Sequence, residues 1–446
     1  MLNVNTRKMR LYDSGFRGVN EVCEGIERMN VFAGQHWVGS LTKNASYRLV
    51  FAYAPHWLAN DDAIPLAPQL PLSRQVFDSD PVETFFQNLL PEGNALDFIE
   101  KAWHISAGNT FGLLERFGGD TAGAFSILPE GMHPSPKSQY LPVTPDDIKL
   151  WFVRSRGIPL PYSGEVVRQA LPGAQNKMAV FIDSQGLMSI PLGSAPSNHI
   201  IKASILPQIA INEAMIMKLA QQIGLGVAKV HYDPELDALI IRRHDRESDP
   251  DDALRRLHQL DICQLLGVPS YKKYEADGGP SLQSCFAAVL SRSLQPENDK
   301  RRLIEWVVFN VLVGNRDGHA KNLSVMTTAE GTQLAPFYDL LCTAVYPHLT
   351  QKFALKIGGE NRSRWLMARH WERFAVEIGI DTQFIAKTQI NIMNRIESAL
   401  PLVIEDLVDI RNDPAGRAMI DKIHDVIMQS IEQMRSKLSD QQESDA

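Results

Sequence analysis

The chain has 446 residues, 44% of them apolar, so it has room for two or three domains with real cores. Its 45 Lys and Arg against 52 Asp and Glu give a net charge of −7, which excludes a chain that binds nucleic acid through overall basic charge. Four cysteines, at 23, 263, 285 and 342, form no CxxC pair and suit neither a zinc site nor a disulfide framework.

Residues 1–30 are polar and without period. Arg7, Lys8 and Arg10 have no apolar stretch behind them, and no apolar run reaches the length of a membrane span. The expected compartment is the cytoplasm, without membrane contact. From Val31 to Gly39 and from Tyr47 to Tyr53 the text is β-prone and broken by Gly and Asn, which predicts a small sheet. A Pro-rich connection, Ile64 to Leu72, leads to helices beginning at Asp80-Pro81 and spanning Ala95 to His104. Phe125 to Pro129 reads as a strand and Met132 to Tyr140 as a linker, with a domain boundary near 135. Strands are predicted again over 178–182, 197–202, 227–232 and 238–242, with a helix from Ile209 to Gly224 between them. Beyond about 255 the chain turns mostly helical, with amphipathic stretches at 301–313 and 383–437. The last eight residues read as a frayed acidic tail. The expected class is α+β, bilobal and protein-kinase-like, divided as an amino-terminal β-rich subdomain (1–135), a nucleotide-binding lobe (136–255) and a helical catalytic lobe (256–446).

The chemistry concentrates in Asn315-Arg316-Asp317-Gly318-His319-Ala320-Lys321-Asn322 and in Phe337-Tyr338-Asp339. Phosphoryl transfer needs a carboxylate to orient the attacking hydroxyl and oxygen ligands to hold Mg²⁺ against the phosphates. Asp317 fits the first role, Asn322 and Asp339 the second. A polar turn capped by Asn and Asp explains the first string alone, but the second string supplies a carboxylate at kinase-like spacing. Lys202 ends a strand and Glu213 lies early in the next helix, the arrangement that orients α- and β-phosphates. Ala174, Gln175, Asn176 and Lys177 follow Gly173 either as a phosphate-covering loop or as a hairpin turn. His319 has the choice of contacting phosphate, positioning Asp317 or bonding backbone, and Lys321 of neutralising the transferred group or standing exposed. Arg242 to Arg246 reads as a solvated ribbon or as an inter-lobe hinge.

Taken in order, GAQNK (173–177), HIIK (199–202), NEAMIMKLA (212–220), RHDR (243–246), DGHAKN (317–322) and LAPFYDLL (334–341) resemble the HipA family, bacterial serine/threonine kinase toxins of type II toxin–antitoxin modules. The stretches NLLPEG (88–93) and FGGDTAGA (117–124) resemble that family's amino-terminal subdomain. The resemblance implies ATP and Mg²⁺ as cofactors and a serine of an aminoacyl-tRNA synthetase, such as glutamyl-tRNA synthetase, as target. It also implies growth arrest and persistence, and a helix-turn-helix antitoxin of HipB type with which the kinase represses operator DNA. It assigns Gln264 and the backbone near Arg242 and His244 to the nucleoside. HipA-like kinases usually carry a self-phosphorylated serine at the position of Ala170; alanine has no hydroxyl to modify, and Ser163 is the nearest upstream one. Arg242 and His244 stand where an acidic and an aromatic residue are familiar. Two other function classes are open: a catalytically silent partner of the antitoxin, and a small-molecule kinase.

Overall fold

The computed structural model describes residues 27–78, 80–155, 167–203, 206–248, 254–407, 410 and 413–445. Cys23 and Ser163 lie outside them.

Five antiparallel strands form the first sheet, in the order Val76–Asp78, Leu49–Tyr53, His36–Lys43, Arg28–Ala33 and Phe125–Pro129. The β-prone run from Val31 to Gly39 breaks at Gly34, whose φ of +58° gives the left-handed residue that closes the hairpin between the two strands. Phe51, Tyr53, Phe85 and Phe86 pack as edge-on aromatic pairs between this sheet and its helices. Those helices span Asp80–Gln87, Gly93–Ala102 and Thr110–Phe117.

A second antiparallel sheet runs in the order Val230–Asp233, Ala238–Arg242, His199–Ala203, Lys177–Ile182, Met188–Pro191 and Tyr140–Pro142. The segment expected as linker thus ends by entering a sheet. The helix Pro145–Ser155 closes one face of this sheet with Ile148 and Trp151, an element the sequence reading passes over. Ile209–Gln222, buried along most of its length, covers the junction with the helical lobe. That lobe holds Leu282–Leu290, Pro296–Val313, Ala368–Glu377, Thr382–Asp406 and Pro414–Asp445. The last helix runs on to Asp445 where a frayed tail is expected, since no Gly or Pro interrupts it after Gly416. A three-stranded sheet, His258–Asp261, Ser324–Thr328 and Gly331–Leu334, lies within this part of the chain and carries the 315–322 and 335–339 segments on its ends. Among the described residues, no helix is long and apolar enough to cross a membrane.

Candidate active site

The helix Pro296–Val313 stops at Gly314, whose φ of +69° turns the chain sharply. A Cβ at Gly314 would sit 2.8 Å from the Cβ of Ala344, so only glycine lets the loop leave here. The turn delivers Asp317 into a cavity of about 230 Å³ between the second sheet and the three-stranded sheet. Lys202, Asn322, Asp339, His319, Lys321, Ala174, Gln175, Lys177, Arg242, His244 and Gln264 line the same cavity. Asn176, Glu213 and Ala170 do not.

Burial pushes the Asp317 carboxyl up to about 6, against the hydrogen bond it accepts from Tyr274 Oη at 2.8 Å. A carboxyl held there is poised to exchange a proton near neutral pH. His319 is buried and pushed down to about 3, first by desolvation and then by the Lys273 charge, so it is neutral. Its backbone N–H donates to the Asp317 carbonyl at 2.8 Å and to Asn322 Oδ1 at 3.1 Å. The imidazole packs edge-on against Tyr274, with its Nδ1 buried and without a hydrogen-bond partner among the described residues.

Lys202 Nζ bridges two carboxylates, Glu213 Oε1 at 2.7 Å and Asp339 Oδ1 at 2.5 Å. Burial lowers the ammonium's pKa, but the two carboxylates more than offset it and hold it above its ordinary value. Glu213 stands behind Lys202, outside the cavity, and burial raises its own pKa. Asp339 is held far below the usual carboxylate range: Lys202 and Lys177 outweigh its desolvation. Its φ of +60° is a left-handed conformation that Asp tolerates better than most residues, a local strain of the sort found where a side chain is aimed.

The donor set at Asp339 and Asn322 fits a hard divalent cation. Among the described residues no three His, Cys, Asp or Glu group around a point as a metal cluster; Asp339 and Asn322 offer one carboxylate and one amide oxygen, donor types that Mg²⁺ accepts beside phosphate and water. Asn322 Nδ2 donates to Asp339 Oδ2 at 2.7 Å while Oδ1 takes the His319 N–H. To offer its oxygen to a cation beside Asp339, the amide must turn over and give up the His319 bond.

Three expectations need correction. Lys321 neither stands exposed nor reaches toward the transferred group: Nζ donates to Asp261 Oδ2 at 2.6 Å and to Asn88 Oδ1 at 2.7 Å, with Glu92 at 3.6 Å. It is a buried cation shared between Asp261 of its own lobe and Asn88 and Glu92 of the amino-terminal subdomain. The polar run 242–246 is not a solvated ribbon. Arg243, Asp245 and Arg246 are buried with Asp120 and Arg256 in one ion network, with Arg246 Nη2 2.9 Å from Asp120 Oδ1 and Arg243 Nη2 2.7 Å from Asp245 Oδ2. Only Arg242 is exposed, while His244 stacks on Tyr338 at 5.6 Å. Gln264 commits its side-chain oxygen to a reciprocal helix cap with Asp261, Gln264 N to Asp261 Oδ1 at 2.8 Å and Asp261 N to Gln264 Oε1 at 3.1 Å. It also lines the cavity, and among the described residues its Nε2 makes only a long bond of 3.5 Å, to the Phe85 carbonyl. Lys177 folds under its own loop and donates to the Pro172 carbonyl, and burial together with Lys202, its cross-strand partner, pushes it down to about 8. Gly173, at φ +108°, makes room for it, since a Cβ there would lie 2.7 Å from Nζ.

The sequence reading missed Glu92, Lys273 and Tyr274. Glu92 pairs with Lys273 at 2.8 Å, and the Glu92 N–H donates to the Gly173 carbonyl at 3.1 Å, which ties the amino-terminal subdomain to the loop over the cavity. The signal was present in NLLPEG, a polar end to an apolar run. Ala170 is fully buried, its N–H on the Asp120 carbonyl at 3.0 Å.

Two family models match the chain, the HipA N-terminal domain over 29–128 and the HipA-like C-terminal domain over 169–400. A putative kinase of Sinorhizobium fredii, Y4mE, is 35% identical over 87% of this chain and 95% of its own length. The serine/threonine-protein kinase toxin HipA of Shewanella oneidensis is 28% identical over 87% of this chain and 92% of its own. A solved complex of Shewanella oneidensis HipA, HipB and operator DNA contains a chain that superposes with a TM-score of 0.81 at 26% identity, covering 92% of this chain and 98% of that one.

Proposed function

The chain belongs to the HipA family of serine/threonine kinases, and from that premise we propose that its cleft transfers the γ-phosphate of ATP to a serine hydroxyl of a protein. The observation that carries this reading is the convergence of three groups in one cavity: the Asp317 carboxyl held near 6, Lys202 with Glu213 paired behind it, and the Asp339–Asn322 pair.

Asp317 orients the substrate hydroxyl and takes up its proton as the oxygen attacks. Lys202, steadied by Glu213, reaches the α- and β-phosphates once nucleotide draws it from Asp339. Asp339 and Asn322 would hold Mg²⁺, which neutralises charge on the phosphates when bound. The Gly173–Lys177 loop covers the phosphates with backbone N–H groups, and Arg242 and His244 border the nucleoside. His319 and Lys321 hold the loop between Asp317 and Asn322 in place, the first through backbone and the second through Asp261.

The kinase acts as the toxin of a toxin–antitoxin module. Its substrate is an aminoacyl-tRNA synthetase, glutamyl-tRNA synthetase being the first to test; blocked charging then arrests growth and favours persistence. The family resemblance supports this target. The similarity to the Shewanella protein, solved with HipB and operator DNA, supports a HipB-type helix-turn-helix antitoxin with which the kinase corepresses its operator in the cytoplasm. Incubating the protein with a cell extract and γ-labelled ATP tests the reading. A labelled protein of synthetase size supports it; a labelled small molecule or no label overturns it.

A further inference from the structure

A second cavity, of about 270 Å³, opens in the helical lobe away from the cleft, between the end of Pro296–Val313, residues 363–371 and the last helix. Three cations line it, Arg316, Arg364 and Lys437, and not one carboxylate does. Like charges gathered without a counter-ion destabilise a fold unless an anion joins them. Their donors are also only partly spent. Arg316 Nε is buried without a hydrogen-bond partner, while another of its nitrogens donates to Gln351. Lys437 Nζ donates to the Leu366 carbonyl at 2.7 Å and more loosely to that of Arg364 at 3.5 Å, leaving one of its three protons free. Phe353 and Trp371 supply an apolar wall to the same cavity.

We propose that this cavity is a second ligand site that takes a small phosphomonoester. Its dianion is held by Arg316, Arg364 and Lys437, and its organic part lies on Phe353 and Trp371. Guanidinium groups bind phosphate through paired N–H donors, and three positive charges suit a dianion better than a carboxylate. Volume limits the organic part to about one ring or a short chain. The inference stands independently of the chemistry assigned to the cleft, although Arg316 is the residue before Asp317 and gives the site a covalent path to it.

Titration calorimetry of the full chain with phenyl phosphate, with benzoate and a phosphoserine peptide as comparisons, decides the matter. Arg364→Gln with Lys437→Gln should weaken phenyl phosphate binding at least about tenfold, and benzoate should bind more weakly than phenyl phosphate. Arg364 is exposed, so Arg364→Gln alone serves as a second variant if the pair does not fold. Three outcomes overturn the proposal: no binding at millimolar phenyl phosphate, binding unchanged in the variants because the probe sits in the cleft, or binding of the phosphoserine peptide only.

Discussion

Tyr274 donates its hydroxyl to Asp317 Oδ1 at 2.8 Å, so the carboxylate proposed as base already holds a hydroxyl on one of its two oxygens. That bond favours the ionised carboxylate and works against the burial that raises it. Removing it by Tyr274→Phe should raise the Asp317 carboxyl further above its value of about 6 and move the acid limb of the pH–rate profile upward relative to wild type. An unmoved acid limb would mean that Asp317 is not the group whose ionisation the rate reports.

Asp317→Asn should lower turnover by about 10²–10⁴-fold while leaving nucleotide affinity near wild type. Stability separates this from misfolding. The unfolded carboxyl ionises near 3.8 and the folded one near 6, so between those values the folded state binds more protons and wild-type stability falls as pH rises. The Asn variant lacks that loss. Its melting temperature should equal or exceed wild type at pH 7, and the difference should shrink below pH 4; initial rates and melting curves across pH check both parts.

Asp339→Asn retains a residue that accepts the left-handed backbone but removes the charge. Mg²⁺ should then add little to ATP affinity, whereas metal-free binding should hold or improve because Lys202 is released from its closest carboxylate. Calorimetry with and without Mg²⁺ reads this directly. Equal losses in both conditions would make Asp339 a structural residue.

Lys321→Ala should cost roughly 3–5 kcal/mol of stability, since it strands the buried Asp261 carboxylate without its cation. Denaturant unfolding measures it. Near-normal stability with lost phosphate affinity would instead return Lys321 to the phosphates.

Ala170→Ser should create a phosphorylation site and a time-dependent loss of activity during incubation with Mg²⁺-ATP, whereas the present chain should gain no phosphate on residues 163–177. Ala170 is fully buried, so a phosphate there, carrying nearly two negative charges, requires the segment to leave its place beside Asp120 and the Gly173 loop. Intact-mass measurement followed by peptide mapping decides.

What was legible in the sequence were groups whose partners are near in the chain or whose element is strongly patterned. Asp317 and Asn322 share one loop, and Lys202 and Glu213 a strand and the helix after it; Asp317, Asn322 and Lys202 line the cavity, with Glu213 paired behind Lys202. What escaped depends on contacts across long separations. Nothing around Lys321 announces Asn88, 233 residues away, and nothing around Arg243 announces Asp120, 123 away, so buried cations read as solvent-facing ones. Pro145–Ser155 escaped because Leu150 and Val153 stay exposed and blur its apolar face.

The network of Asp120, Arg243, Asp245, Arg246 and Arg256 bears on how this protein can be cut and recombined. Three guanidiniums share two carboxylates, and one of those carboxylates belongs to the amino-terminal subdomain. A truncated kinase beginning after residue 135 would therefore carry three arginines against a lone Asp245 at its hinge, together with Lys321 deprived of Asn88 and Glu92. The two portions are better regarded as halves of one electrostatic lock than as exchangeable modules, and a chimera with a relative would need to bring the matching acid along with the graft.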